Sequence, residues 1–352
     1  MRFEVEVGVL NPEPRTSTFD LDSRLVFRDL RATDVLAAAE RLRDLVRRTP
    51  LVRSGPLSDI AAGDVFLKLE NEQTTGSFKL RGALNAIGSL PEDVRAQGIV
   101  ASSAGNHGLG VAYAARYYAV PATIFVPATA PQVKRDGIVA LGATLDTTQP
   151  HYDAAMAAAK DFAARRGATF INPCLGASLL AGQGTVALEI LSDLPDLASL
   201  VVNVGGGGLL GGCASLVRRV APAVRIAGAQ SVSTDAMARS IAAGRVVEID
   251  NVPTLADGLA GQIDDEALDI GHEALDELVT VTEEELGRTI GWLWRTHGAR
   301  VEGAGAVGAA AVLHRKLSSL PTPAAVVVSG GNIDTGRFEQ LLREEESGKR
   351  EA

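Results

Sequence analysis

Cysteine is scarce in this chain: Cys174 and Cys213 stand far apart, with no Cys-x-x-Cys spacing and no Cys/His cluster. Neither a disulfide framework nor a zinc site is expected from that pattern. Positive charge is also in deficit. Against 43 Asp and Glu there are 34 Lys and Arg, a formal net charge of -9, which argues against a nucleic-acid backbone as partner. No apolar run approaches the roughly 20 residues of a membrane span. The first residues, Met1-Arg2-Phe3-Glu4-Val5-Glu6-Val7, alternate like a strand and lack the apolar core of a signal peptide. No tandem repeat is evident. What is present is ordinary globular composition, 46% hydrophobic and 22% charged. The length of 352 residues corresponds to about two domains. A cytoplasmic protein with reduced thiols is expected.

Short β-branched runs alternate with Ala-rich amphipathic stretches. Strands are expected at 65–69, 99–101, 122–126, 144–145, 169–171, 200–204, 225–229 and 325–328. Helices are expected near 33–48, 77–89, 107–118, 131–141, 152–166, 178–192, 209–219, 234–243, 283–297 and 304–317. Thr282-Glu283-Glu284-Glu285 reads as a capping box, in which side chains answer orphan backbone N–H groups. Arg165 and Arg166 suit the negative end of the helix before Gly167. Strand–helix alternation of this kind means parallel sheets with helices on both faces, an α/β fold. Residues 1–26 and the charged tail from Arg343 read as peripheral, the tail as disordered.

Four segments carry chemistry. Lys79, in Thr75-Gly76-Ser77-Phe78-Lys79-Leu80-Arg81-Gly82, sits between a Gly-Ser turn and an apolar run. Burial disfavours a lysine's charged form, and a neutral amine can attack an aldehyde. A solvated lysine at a helix start is the plainer alternative. Gly205-Gly206-Gly207-Gly208-Leu209 follows a strand and opens a helix, so its backbone N–H groups can cup a phosphate. A tightly packed glycine turn is the alternative there. Gly206, Gly208 and Gly211 also satisfy G-x-G-x-x-G, but the next strand ends in Ala229-Gln230-Ser231. A dinucleotide site wants an acid at that point. In Ser102-Ser103-Ala104-Gly105-Asn106-His107-Gly108, small residues and a helix start favour a carboxylate, and Asn106 offers an amide. His107 reads as a packing residue rather than a general base. The strand Val326-Val327-Val328 ends in Ser329-Gly330-Gly331-Asn332, a neutral hydroxyl beside two glycines. An amine, a phosphate cup, a carboxylate loop and a hydroxyl together suit pyridoxal phosphate.

On these segments, with Ala181-Gly182-Gln183-Gly184-Thr185 and Thr254-Leu255-Ala256-Asp257-Gly258, the chain resembles the fold-type-II pyridoxal-phosphate enzymes of the threonine dehydratase and serine racemase group. The resemblance runs from about Arg48 to Asn332. It implies two parallel-sheet α/β domains of the tryptophan synthase β-like architecture, the smaller inserted in the larger. Residues 27–98 and 173–340 would form the large cofactor-binding domain and 99–172 the small one, with 1–26 an extension and 341–352 a tail. By this resemblance Lys79 would hold pyridoxal phosphate as a Schiff base, with Phe78 against the cofactor. Asn106 would meet its ring hydroxyl and Ser329 its pyridine nitrogen. Gly205, Gly206, Gly207, Gly208 and Leu209 would hold its phosphate. Ser103, Gly105, Asn106 and His107 would receive the substrate carboxylate. The implied activity is elimination of the β-hydroxyl of L-threonine, and of L-serine, by a homodimer.

Departures from the group sharpen this. Racemases carry a serine immediately before Gly-Asn-His, where this chain has Ala104. An alanine moves no proton, which favours a lyase. Gln230 and Ala236 stand where racemase-type metal ligands are acidic, so no tightly bound divalent metal is expected. With Ala352 the last residue, feedback control through the regulatory domain of long biosynthetic dehydratases is not expected. Alternatives are a lyase for 3-hydroxyaspartate or phenylserine, a serine racemase, a β-replacement synthase, and a pyridoxal-phosphate-binding protein without turnover.

Overall fold

A computed structural model describes residues 29–128, 130, 132–250 and 252–351. The alternating segment at residues 3–7 and the extension 1–26 lie outside them. Ten strands run in chain order: β1 (Leu51–Arg53), β2 (Val65–Leu69), β3 (Ile99–Ser102), β4 (Ala122–Pro127), β5 (Thr144–Gln149), β6 (Thr169–Phe170), β7 (Ser199–Asn203), β8 (Arg225–Ser231), β9 (Glu277–Val281) and β10 (Ala324–Val328). They form a six-stranded sheet in the order β1-β2-β10-β7-β8-β9 and a four-stranded sheet in the order β5-β4-β3-β6. The chain leaves the larger sheet after β2, completes the smaller one, and returns at β7. All pairings are parallel except that of β1 with β2.

The central strands of the larger sheet are apolar along their whole length because helices cover both faces. Every residue of β7 and β10 is buried. Alternation divides them: Leu200, Val202, Ala325 and Val327 face one core, Val201, Val326 and Val328 the other. Each valine or leucine fully buried in this way contributes about 1.5–3 kcal/mol. Small residues let helix Gly303–Leu313 lie close on the second face. A Cβ at Gly308 would fall 2.7 Å from Asn203 Oδ1. Helix Lys79–Gly88 packs its Leu80, Ala83, Leu84 and Ile87 into the core of the smaller sheet, although it follows β2 of the larger one.

Two expected caps are present. Thr282 and Glu285 form the reciprocal box of helix Glu283–His297. Gly167, with φ of +66°, ends helix Tyr152–Arg166 in a left-handed turn. The tail is a correction. Instead of being disordered from Arg343, it completes helix Thr335–Glu351. Phe338 and Leu341 are buried in the second core and anchor the helix, and Gln340 bonds Glu344 one turn on at 2.7 Å. Strands β1 and β9 and the helices Gly55–Ala61, Glu92–Ala96 and Asp265–Ala274 were also unforeseen. Trp294 is exposed, and Trp292 lines a surface groove to which no candidate site residue contributes.

Candidate active site

Parallel strands bring their C-terminal ends to one side of a sheet, where ligand sites of open α/β folds form. Here β3, β7 and β10 end in the Ser103 loop, the glycine run and Ser329. The turn before Lys79 is sewn to the loop after β10. Phe78 N–H donates to Ser329 O at 3.1 Å and Gly331 N–H to Gly76 O at 2.9 Å. Gly76 has φ of +76°, which favours glycine. Lys79 is the first residue of its helix and is half-buried. Its Nζ donates to Pro173 O at 2.6 Å, lies 4.0 Å from Cys174 Sγ, and stands 5.3 Å from the centre of the Phe78 ring.

The same cysteine closes the other side of the cleft. A Cβ on Gly206 would fall 2.7 Å from Cys174 Sγ, and one on Gly208 would fall 2.8 Å from Cys174 O. The cup is therefore glycine for lack of room as well as for flexibility. Gly207, with φ of +85°, caps helix Gly208–Val220, and Leu209 is buried in its first turn. Free N–H groups at such a helix start suit an anion.

Asn106 opens helix Asn106–Tyr117. Ser103 Oγ accepts from Gly105 N–H at 3.1 Å, shaping the loop before it. His107 is buried, with Nε2 3.0 Å from Ile171 O. Burial, and then the positive charge of Lys79, push its pKa down to about 3. The ring is turned into the fold and held neutral at ordinary pH. Asn106 Nδ2 donates to Glu302 Oε1 at 2.5 Å, and its Oδ1 accepts from Asn332 Nδ2 at 2.7 Å. Ser329 Oγ accepts from Asn203 Nδ2 at 3.0 Å, and its hydroxyl donates a long bond to Ala304 O at 3.4 Å.

Beneath Lys79 lies a cluster of buried charge. Arg81 makes paired bonds to Glu70, both at 2.8 Å, and to Glu189 at 2.7 and 3.0 Å. Lys68 Nζ bonds Glu189 at 2.6 Å and Thr49 O at 2.7 Å. Burial works against the Glu189 carboxylate, but its bonds to Arg81 and Lys68 outweigh that and hold it below the usual carboxylate range. At the position compared with metal ligands, Gln230 Nε2 donates to Val204 O and Thr234 O at 3.2 and 2.9 Å. Among the described residues, no group of three or more His, Cys, Asp or Glu could hold a metal ion.

Contacts thus join Phe78 to Ser329, Lys79 and Gly206 to Cys174, and Asn106 to the loop after β10 through Asn332. Glu302, Asn203, Glu70 and Glu189 had been given no role from sequence. Glu302, Asn203 and Glu189 meet partners more than 100 positions away, which no local pattern reveals, and Glu70 meets Arg81 eleven positions on; one available signal was Glu302 standing alone before a run of Gly and Ala.

Comparison with known proteins gives the family. The family model described as "Pyridoxal-phosphate dependent enzyme" matches residues 42–330. L-threonine ammonia-lyase of Thermotoga maritima is 41% identical over 310 residues, 88% of this chain and 77% of that protein. Among solved structures, maize serine racemase superposes with a TM-score of 0.84 at 30% identity, covering 91% of this chain and 99% of the other. The processed form of threonine deaminase isoform 2 from Solanum lycopersicum gives 0.82 at 30% identity, covering 88% and 91%.

Proposed function

Because the chain belongs to the pyridoxal-phosphate-dependent enzyme family, we propose that it is an ammonia-lyase removing the β-hydroxyl of L-threonine, and of L-serine, to give a 2-oxo acid and ammonia. The relatives with 37–41% identity are threonine ammonia-lyases and dehydratases. The observation that carries the reading is the place of Lys79: a half-buried amine between a glycine cup and a helix-start loop.

The cleft fits the cofactor. A Cβ at Gly206 or Gly208 of the cup would fall within 3 Å of Cys174, and the buried hydroxyls of Thr75 and Ser77 beside Lys79 have no partner among the described residues. In this reading the backbone N–H groups of Gly205 to Gly208 and Leu209 hold the phosphate. Phe78 would lie against the ring, Asn106 would meet its hydroxyl and Ser329 its nitrogen. Bound pyridoxal phosphate supplies an aldehyde that condenses with an amine and a ring that accepts electron density from Cα.

This chain's own residues then do three things. Backbone N–H groups of Ser103, Gly105, Asn106 and His107 orient the substrate carboxylate at a positive helix end. Lys79, once its amine is free, takes the Cα proton as general base. Ser329, which holds Asn203's donor on its oxygen, offers a hydrogen bond without charge, and a neutral partner leaves the ring a mild electron acceptor, suited to elimination. After loss of the β-hydroxyl, the released enamine hydrolyses to the 2-oxo acid and ammonia. Ala104 carries no proton, so no second acid from that position returns one to the opposite face. That observation favours the lyase over the racemase.

We assign residues 27–98 and 173–340 to the cofactor-binding domain and 99–172 to the inserted one, and infer a cytoplasmic homodimer. No described helix is long and apolar enough to cross a membrane. A panel of L-threonine, L-serine, 3-hydroxyaspartate and phenylserine with 2-oxo acid detection tests the substrate. Threonine and serine are expected to react. Turnover confined to another member moves the assignment, and a thiol adduct in place of a 2-oxo acid overturns it.

A further inference from the structure

Beside the substrate loop stands a carboxylate that none of the roles above uses. Glu302 is buried immediately before helix Gly303–Leu313. Its backbone N–H donates to Gly330 O at 3.1 Å, which fixes it against the loop after β10. From its side chain a hydrogen-bonded relay runs in one sense. Glu302 Oε1 accepts from Asn106 Nδ2, Asn106 Oδ1 accepts from Asn332 Nδ2, and Asn332 Nδ2 also donates to Thr75 O at 2.8 Å.

The sense of that relay is determined at both ends. A backbone carbonyl only accepts hydrogen bonds. Glu302 Oε1 accepts from the nitrogen end of Asn106. Thr75 O requires the nitrogen of Asn332, which in turn requires the oxygen end of Asn106. Both constraints give the same orientation of one amide, with one Nδ2 hydrogen of Asn106 left over. Room for the relay depends on glycine. A Cβ on Gly330 would fall 2.2 Å from Glu302 Oε1, and one on Gly76 would fall 2.3 Å from Asn332 Oδ1. The relay also bridges the two sheets. Asn106 follows β3 of the smaller sheet, whereas Asn332 follows β10 of the larger and Glu302 opens a helix packed on it.

We propose that Glu302 is a positioning residue that fixes the Asn106 amide as a hydrogen-bond donor to the cofactor's ring hydroxyl, with Asn332 locking the other end. This rests on the reading of Asn106 as that hydroxyl's partner. Asn106, anchored to the larger sheet through Asn332, would then present a donor to the ring oxygen. Glu302 touches Asn106 rather than substrate, so its loss acts on how the cofactor is held and on kcat more than on substrate affinity.

The test uses wild-type, Glu302→Gln, Glu302→Asp and Asn332→Ala holoenzymes. Glu302→Gln keeps volume and backbone contacts, but its side chain can present a donor and no longer dictates the amide. The expected Glu302→Gln protein melts as the wild type does and retains a visible cofactor band. The circular dichroism of that band weakens, and the cofactor dissociation constant rises. For L-threonine, kcat falls about tenfold while KM stays within about threefold, as loss of one charge-assisted bond implies. Asn332→Ala moves the same readouts in the same direction by less, and Glu302→Asp, which keeps the charge, recovers part of the change. A Glu302→Gln protein with wild-type dichroism and kcat overturns the proposal. So does one whose melting temperature drops while both stay unchanged, because Glu302 is then merely structural. A wild-type protein without a cofactor band refutes the functional reading, and this proposal with it.

Discussion

Lys79 and Arg81 stand two residues apart at the start of one helix and occupy opposite kinds of surroundings. A spacing of two places them on different helix faces. Arg81 is fully buried, with Glu70, Glu189 and Thr185 around its guanidinium, and Lys68 shares Glu189. Lys79 meets one carbonyl and one thiol, beside a glycine cup and hydroxyls without partners. Buried charges are tolerated when geometry and partners are complete. The closed cluster fixes where the helix begins; the open side is thereby held ready for a ligand. Such a cluster, two residues from Lys79, would help keep that lysine in place.

Substitutions that separate the two sides test this contrast. The largest effect falls on the open side. Lys79→Ala is expected to lose the visible cofactor band and to lower deamination by a factor on the order of 10³ or more, while urea unfolding of the cofactor-free protein stays close to wild type. An unchanged spectrum in the loaded variant would show that another amine holds the cofactor. On the closed side, Glu189→Ala leaves Arg81 and Lys68 short of a counter-charge and is expected to cost about 3–5 kcal/mol in urea unfolding. A loss below about 1 kcal/mol would mean that the cluster does not hold the helix.

Between them, Gly206→Ala drives a Cβ against Cys174 Sγ. Overpacking of this kind costs about 1–3 kcal/mol, read here as weaker cofactor binding by fluorescence titration. Adding Cys174→Ala should restore part of it; no rescue would place the cause elsewhere in the cup. His107 gives the smallest effect, and only in acid. Its native pKa of about 3 lies below the unfolded value near 6.5. Between those values the unfolded chain binds a proton that the native state does not, so stability falls as pH drops through that window. The slope is about 1.4 kcal/mol per pH unit. His107→Gln should show a shallower acid limb in a stability–pH series, and an identical limb would contradict a neutral buried ring.

What was legible in the sequence was local. Lys79, the glycine run, Asn106 and Ser329 each follow a turn or a strand end, so chemistry and position could be read together. The capping box at Thr282 was legible for the same reason. What escaped depends on partners distant in the chain. Glu302 meets Asn106 across 196 positions, and Glu189 meets Arg81 across 108. Asn203 looked like the end of a strand, and only the fold turns it toward Ser329. Strand β1 escaped because it is three residues long and largely exposed, with too few positions to show a period. The helix Asp265–Ala274 carries its signal in one residue, Asp264, which accepts from Ala267 N–H at 2.9 Å. The tail from Arg343 was misread because its anchors, Phe338 and Leu341, precede the charged run.

The central claim is that one lysine makes this protein a lyase. It is tested most directly by giving L-threonine to wild-type and Lys79→Ala proteins supplied with pyridoxal phosphate, with 2-oxo acid, ammonia and the D-configured amino acid measured in the same samples. The account predicts equal amounts of 2-oxo acid and ammonia from the wild type, little D-isomer, and no product from the variant. Deamination by Lys79→Ala, or D-isomer accumulating faster than 2-oxo acid in the wild type, would contradict it.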